Sequence, residues 1–472
     1  MHAGPPLNHA SHPSSPTSTD PLATRDGLHG AERLLAMAAL AIGVGLAALD
    51  TAIVNTALPG IAASLGATPA ASVWIVSVYQ LAMIATMLPF AALGEIVGYR
   101  KVSIGGLVLF TAASLACAAA WSLPSLVAAR LLQGLGASAV MGVNTALLRA
   151  IYPARLMGQG MGSNALIVAT GFAIGPTAAS LILSLSSWPW LFAVNVPLGL
   201  AGIALGLRYL PATRLAHYPF DFRTALYNAG AFGLLVLAMG EGAHAAAAHV
   251  IALELAGSAA FFVLLLRRQR GHPAPMLPID LFARPLFALS VVTAVCTFAA
   301  QGLAFVSLPF YFEHVLGRSP VETGFLITPW AVMVGVMAPI AGRLSDRYQP
   351  GLLGGAGLVA LSAGLLSLLL MPAAPSSLSI CWRMALCGLG FGFFQAPNLK
   401  AIMSSAPPGR AGGASGIVAT ARLVGQAGGA ALVALCFTLA GSHGTAWALG
   451  LGAASAALAS IASFARLAVQ KT

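Results

Sequence analysis

The sequence predicts an all-α protein that crosses a membrane about fourteen times, and three observations carry that prediction. The 472-residue chain is 58% hydrophobic and 7% charged, where an ordinary water-soluble domain carries about 25% charged residues. Apolar runs near the ~20 residues that a helix needs to cross a bilayer follow one another to the C-terminus. Basic residues return in every second loop, as they do where loops alternate between two sides of a membrane.

Residues 1–30 are rich in Pro, Ser, Thr and His and have no apolar stretch with a small-residue cleavage site, so they read as a disordered cytoplasmic tail. The apolar runs then fall near 34–58, 72–93, 102–120, 123–143, 160–184, 190–210, 224–240, 248–267, 285–311, 322–342, 352–371, 376–399, 412–440 and 443–465. Arg25 and Arg33 precede the first run. Cations then recur at Arg100/Lys101, Arg149/Arg155, Arg208/Arg214/Arg223, Arg267/Arg268/Arg270/Arg284, Arg343/Arg347, Lys400/Arg410 and Arg466/Lys471, while the intervening loops hold only Arg318. That alternation puts both termini in the cytoplasm and makes the number of spans even. The net charge of +11 therefore reports topology: no basic patch is interleaved with exposed aromatics as a nucleic-acid surface would require. The five cysteines sit in apolar runs without CxxC spacing and read as small core residues.

The chain repeats itself. Gly342-Arg-Leu-Ser-Asp346-Arg347-Tyr348 matches Leu93-Gly-Glu95-Ile-Val-Gly98-Tyr-Arg100-Lys101 in placing an acid beside cations at a helix end, and Gly171-x-x-x-Gly175-Pro176 has its counterpart in Gly425-x-x-x-Gly429. The expected organisation is a six-helix half over 31–210, two inserted spans over 211–270 and a second six-helix half over 271–472.

Four stretches resemble the major facilitator superfamily, and within it the fourteen-span drug:proton antiporter branch (EmrB/QacA type): Leu49-Asp50-Thr51-x-Ile53-Val54-Asn55-x-Ala57-Leu58-Pro59; Arg130-Leu-Leu-Gln133-Gly134-Leu-Gly136-Ala137; Gly171-Phe-Ala-Ile-Gly175-Pro176; and Trp190-Leu-Phe192-Ala-Val-Asn195-Val-Pro197-Leu-Gly199. The resemblance runs from about Leu34 to Arg466 and implies the major facilitator fold and a link between Arg130 and proton coupling. It implies an antiporter motif at Gly171, Gly175 and Pro176, and cytoplasmic gate loops at Glu95, Gly98, Arg100, Gly342, Asp346 and Arg347. Two departures stand out. Glu95-Ile96 and Tyr99 replace an Asp-Arg pair and a further Arg, which loosens the expected latch, and Ala179-Ser180 replace a terminal pair of glycines.

Asp50 is the leading candidate for the group that takes up and releases a proton. A carboxylate in hydrocarbon costs roughly 2.5–3.5 kcal/mol on the mildest scale, so an acid there faces a cavity or a pathway. The competing reading is a structural Asp bonded to Thr51, Asn55 or a neighbouring helix. Arg130 cannot shed its charge and needs a carboxylate, carbonyls or water, unless it snorkels to the near interface. Arg383 reads as snorkelling at a helix end, and Arg422, beside Gly425 and Gln426, as facing the bundle interior. Asn55, Trp74, Tyr79, Gln80, Gln133, Phe298, Gln301, Phe305, Phe391, Phe394, Gln395, Asn398 and Arg422 are candidates to line an aromatic, mildly polar substrate cavity. Each of them can instead be a packing or lipid-facing residue.

Glu241, His244, His249 and Glu254 fit an aqueous outer loop and not a metal site, and Glu313-His314 fit a solvated outer mouth. There is no P-loop, so ATP is not the energy source, and no cofactor is expected. Nor does any metal-ligand pair or nucleophile motif support a membrane enzyme, and a scaffold or sensor would not need Asp50 and Arg130.

The expected protein is thus a monomeric transporter of the bacterial inner membrane that exchanges lipophilic cations for protons. Its partners are the lipid bilayer, small lipophilic substrates and protons, with no nucleic acid. An adaptor and outer-membrane channel stay open as further partners, although no long periplasmic domain is present to dock one. Export of a specific metabolite, or import of a small solute, by the same fold also stays open.

Overall fold

A computed structural model describes residues 27–153, 156–213, 215, 220–243, 248–269, 279–345, 347–405 and 411–469. Asp346, His244, Arg25, Arg155, Arg214, Arg270, Arg410, Lys471 and residues 1–26 of the tail lie outside them, as does the side chain of Glu241.

The described chain is helical: α1 Gly30–Ser64, α2 Pro69–Ser72, α3 Trp74–Val97, α4 Tyr99–Ala118, α5 Leu123–Ile151, α6 Met157–Leu185, α7 Trp190–Ala193, α8 Asn195–Tyr209, α9 Phe222–Ala243, α10 Ala248–Gln269, α11 Pro285–Phe310, α12 Pro320–Leu344, α13 Pro350–Leu369, α14 Ser377–Ser405, α15 Ala411–Ala440 and α16 Gly444–Val469. The short helices α2 and α7 each lead into a long one, so thirteen spans are long and apolar enough to cross a membrane, and the shorter apolar stretch Phe222–Ala238 in α9 makes about fourteen. Helix ends outrun the apolar runs that announced them. α1 extends from the predicted 34–58 to Gly30–Ser64 and α5 from 123–143 to Leu123–Ile151, because interfacial polar residues continue a helix whose middle is apolar. Local signals set the starts: Ser122 with Ser125 and Ser319 with Glu322 form capping boxes that satisfy free N–H groups. Gly98, at φ +101°, makes the turn between α3 and α4 in a conformation that other residues rarely adopt.

Lipid supplies no hydrophobic drive between helices, so close packing by small residues must hold them. In α5, a Cβ on Gly134 would lie 2.6 Å from the Tyr79 carbonyl oxygen of α3, and one on Gly136 would lie 2.5 Å from the Phe110 nitrogen of α4. α14 repeats this: a Cβ on Gly388 would run into the Trp330 carbonyl oxygen of α12, and one on Gly390 into the Leu361 nitrogen of α13. α6 seats on α1 through Gly171 and Gly175, against Ala48 and Ala52, and α15 seats on α11 through Gly425 and Gly429, against Val295 and Ala299. Helices α1–α8 and α11–α16 therefore form two similarly packed bundles. Between them α9 lies against both α3 and α15, and α10 packs on α9. Outside the membrane-spanning segments, Arg268 pairs with Asp221 (2.8 Å) and, with Thr224, holds the Asp221 carboxyl well below the usual range. Both side chains are well exposed, so the pair contributes at most about 1 kcal/mol.

Gly136→Val should drive α4 and α5 apart at a cost of about 3 kcal/mol, since the obstructing atoms are backbone. The expected readout is a lowered melting temperature in detergent, with Gly105→Ala, which meets open space, left unchanged.

The bundles close on each other at the end opposite Gly30 and Val469. There Thr177 and Thr328 hydroxyls are 2.9 Å apart, and a Cβ on Gly324 of α12 would lie 2.4 Å from the Pro176 carbonyl oxygen of α6. One apolar cluster at this end joins Ile53, Leu58 and Leu191 to Val306, Phe310 and Val433. Toward the termini α6 and α12 part: a Cβ on Gly335 would meet nothing, and on Gly342 only Ala396 of its own bundle. α3 and α15 still touch on that side, where a Cβ on Gly416 would lie 3.5 Å from Leu88.

Candidate proton-coupling and substrate site

Asp50 sits mid-way along α1 and is fully buried. Its Oδ2 accepts from Arg130 Nη1 (2.5 Å) and its Oδ1 from Gln133 Nε2 (2.8 Å) and Asn195 Nδ2 (3.0 Å). Arg130, 1% exposed, also donates to Gln133 Oε1 (2.6 Å) and, through Nε, to the Ile75 carbonyl (3.1 Å). Gln133 in turn donates to Ser114 Oγ (2.9 Å), and Cys117 Sγ lies 3.5 Å from its carbonyl oxygen. The local reasons are visible in the sequence. Arg130 and Gln133 are one helical turn apart on α5 and so share a face, and the break at Val194 between α7 and α8 makes Asn195 the first residue of the new helix.

Arg130 turns inward to a carboxylate instead of snorkelling. Asp50 bonds to neighbouring helices, which both readings of it accommodate, while the Thr51 hydroxyl donates to the Ala47 carbonyl (3.0 Å).

The Tyr79 ring covers the guanidinium at 4.1 Å. Tyr79 also lines a narrow cleft, together with Thr51, Gln80, Met83, Phe172, Arg422 and Gln426 among others. Tyr79 thus touches both the ion-pair network and the cleft.

The structure divides the predicted cavity set. Tyr79, Gln80 and Arg422 line the cleft, and Gln301 stands beside it, its Oε1 accepting from Gln426 Nε2 (3.1 Å). Gln133 belongs to the Asp50 network, because its amide is consumed there. Phe298, Phe305 and Phe394 join Phe391 and Trp330 in an edge-to-face aromatic core inside the second bundle, where burial among their own kind excludes them from the cleft. Asn398 donates to the Ser290 carbonyl and accepts from Arg466. Trp74 lies against Gly240 of α9, and buried Asn55 and half-buried Gln395 are not among the cleft residues. Arg383 donates to the carbonyls of Ser367 (2.9 Å) and Ser379 (2.7 Å).

In the first expected gate loop, Arg100 donates to the Leu207 carbonyl of α8, and the Tyr99 nitrogen to Thr213 (3.3 Å). Arg466, expected among the cytoplasmic loop cations, is instead fully buried and bonded to Ser290, Asn398 and Ser463. Ser114 and Asn195 were not singled out for a role by sequence reasoning; both are lone hydrogen-bonding side chains in apolar runs, which is the signal that could have found them.

The sequence profile of the Major Facilitator Superfamily matches residues 40–430. The chain is 49% identical to the uncharacterized transporter YebQ of Escherichia coli, covering 95% of this chain and 98% of that one. It is 33% identical to the multidrug resistance protein Stp of Mycobacterium tuberculosis, over 88% and 76% respectively, and 29% identical to the riboflavin transporter RibZ of Clostridioides difficile, over 86% and 88%. With its helical fold and these relatives on record, the chain belongs to the Major Facilitator Superfamily and is a membrane transporter, not an enzyme.

Proposed function

We propose that this protein is a proton-coupled exporter of lipophilic organic compounds, seated in the inner membrane of a bacterium with both termini cytoplasmic. The observation that carries the reading is the Asp50–Arg130 pair, buried in the first bundle and covered by Tyr79, which also lines the cleft. A proton arriving on Asp50 cancels its attraction for Arg130 and leaves the guanidinium to find other acceptors. Such an exchange changes how α1, α5 and α8 are held together, since each contributes a member of the network. Those helices carry the first bundle, and rocking of one bundle against the other would alternate access to the cleft. On this topology α6 and α12 part toward the cytoplasm, the side from which an exporter collects its cargo. The similarity to a multidrug resistance protein supports export.

The purified chain in vesicles should move a lipophilic dye against its gradient when a pH step is imposed, and should stop when the step is collapsed by an ionophore. Dye movement indifferent to the pH step would overturn proton coupling. A second reading, carriage of one specific metabolite, is favoured by the similarity to RibZ; radiolabelled riboflavin in the same vesicles tests it. As to charge, the sequence expectation of cationic cargo meets a cleft whose only charged lining residue among the described residues is Arg422.

A further inference from the structure

Arg422 projects from the middle of α15 into the cleft, and its Nε is shut off from solvent with no hydrogen-bond partner among the described residues. It forms no salt bridge with a described residue: Asp50 is bound to Arg130, and the remaining described ion pairs, Arg268–Asp221 and Arg318–Glu322, lie near helix ends. Gln80, 3% exposed, lines the same cleft, and its Oε1 is also without a partner. The rest of the lining is apolar or neutral, including Met83 and Phe172.

A half-buried cation whose Nε is shielded and which has no counter-charge among the described residues is expensive, and a protein keeps one where something else supplies the charge. A buried acceptor left empty in the lining of the same cleft has the same logic with the opposite sign. The two orphaned atoms describe complementary groups on one ligand.

We infer that the cleft takes flat lipophilic organic anions, whose carboxylate or phenolate oxygen pairs with Arg422 and whose neighbouring hydroxyl or N–H donates to Gln80, and that it rejects lipophilic cations of the same shape. The inference rests on the exporter reading only for the direction of travel. It reverses the charge expected of the cargo from the sequence. The aromatic and thioether side chains of the lining accept the flat body of the ligand, while the guanidinium fixes which end enters and which charge is tolerated. A cation in the same place would be set against Arg422 in a low-dielectric site, where like charges repel strongly.

The test uses two xanthene dyes of nearly the same shape and opposite charge, fluorescein and rhodamine 123, titrated against the purified full chain in detergent and read by fluorescence anisotropy. Fluorescein should bind at least tenfold more tightly than rhodamine 123. Arg422→Gln should abolish the difference, and Arg422→Lys, which keeps the charge but loses the planar fork, should retain part of it. Equal binding of the two dyes by the unmodified chain, or tighter binding of rhodamine 123, overturns the inference without recourse to any variant; so does a preference that survives Arg422→Gln. Binding requires no turnover, so the two readings fail separately. Selective fluorescein binding without pH-driven movement of any dye would sink the exporter and leave the anion cleft standing. Movement driven by a pH step for rhodamine 123 alone would do the reverse.

Discussion

Asp50→Asn should abolish pH-driven transport while the chain still inserts in the membrane, and should destabilise the first bundle by about 3–5 kcal/mol. The second effect follows from Arg130: removing one member of a buried pair leaves the other charge uncompensated, which costs far more than the pair itself contributes. Arg130 is 1% exposed and cannot move into water without dragging α5 with it. The double variant Asp50→Asn/Arg130→Gln should therefore recover most of the lost melting temperature in detergent, because the isolated cation is gone, yet transport should stay absent. That split separates a proton-carrying role from a structural one. If the double variant regained pH-driven transport along with stability, Asp50 would be no more than a brace.

Gly324→Leu should hold the carrier open at the end away from the termini. At that end a Cβ on residue 324 would lie 2.4 Å from the Pro176 carbonyl oxygen, and Ser180 Oγ lies closer still. Ser180 can turn aside, but the Pro176 carbonyl is backbone, so a branched side chain keeps α6 and α12 apart. In a Thr177→Cys background, a membrane-impermeant maleimide added from that side should label at least ten times faster with Leu at 324 than with Gly. Tenfold corresponds to about 1.4 kcal/mol of bias between the two conformers, a modest demand on a clash of this size. Transport should fall in parallel, since a carrier held open on one side completes no cycle. Unchanged labelling would mean that the bundles do not separate along this seam.

Much of the fold was legible because a bilayer imposes one simple rule on every span. Length, apolarity and the alternation of loop cations placed fourteen runs, and the small-residue spacings at Gly171/Gly175 and Gly425/Gly429 announced that helices would touch there. Charge in hydrocarbon likewise singled out Asp50, Arg130 and Arg422. What sequence could not supply was pairing. Residues 50 and 130 are far apart along the chain, and no local pattern ties them together, so snorkelling stayed open as the alternative for Arg130. Asn195 completes the acid's shell from a third helix for the same reason. The aromatics failed differently: periodicity tells which residues share a helix face but not which face meets a cleft, so Phe298, Phe305 and Phe394 read like lining and fold into a core. Arg466 ends an apolar run as a loop cation would, yet Ser290 and Asn398, contributed by two other helices, draw it inside.

The placement of Tyr79 bears on stoichiometric coupling. Where an acid and a cargo occupy the same seat, one evicts the other and their exchange is a contest for room. Here a phenol touches the arginine and the cleft alike. If Asp50 carries the proton and the cleft the cargo, both passengers can board at once, and eviction would not enforce the exchange ratio. That duty would pass to the hinge motion itself, and fidelity would then depend on how seldom it swings without both seats being read.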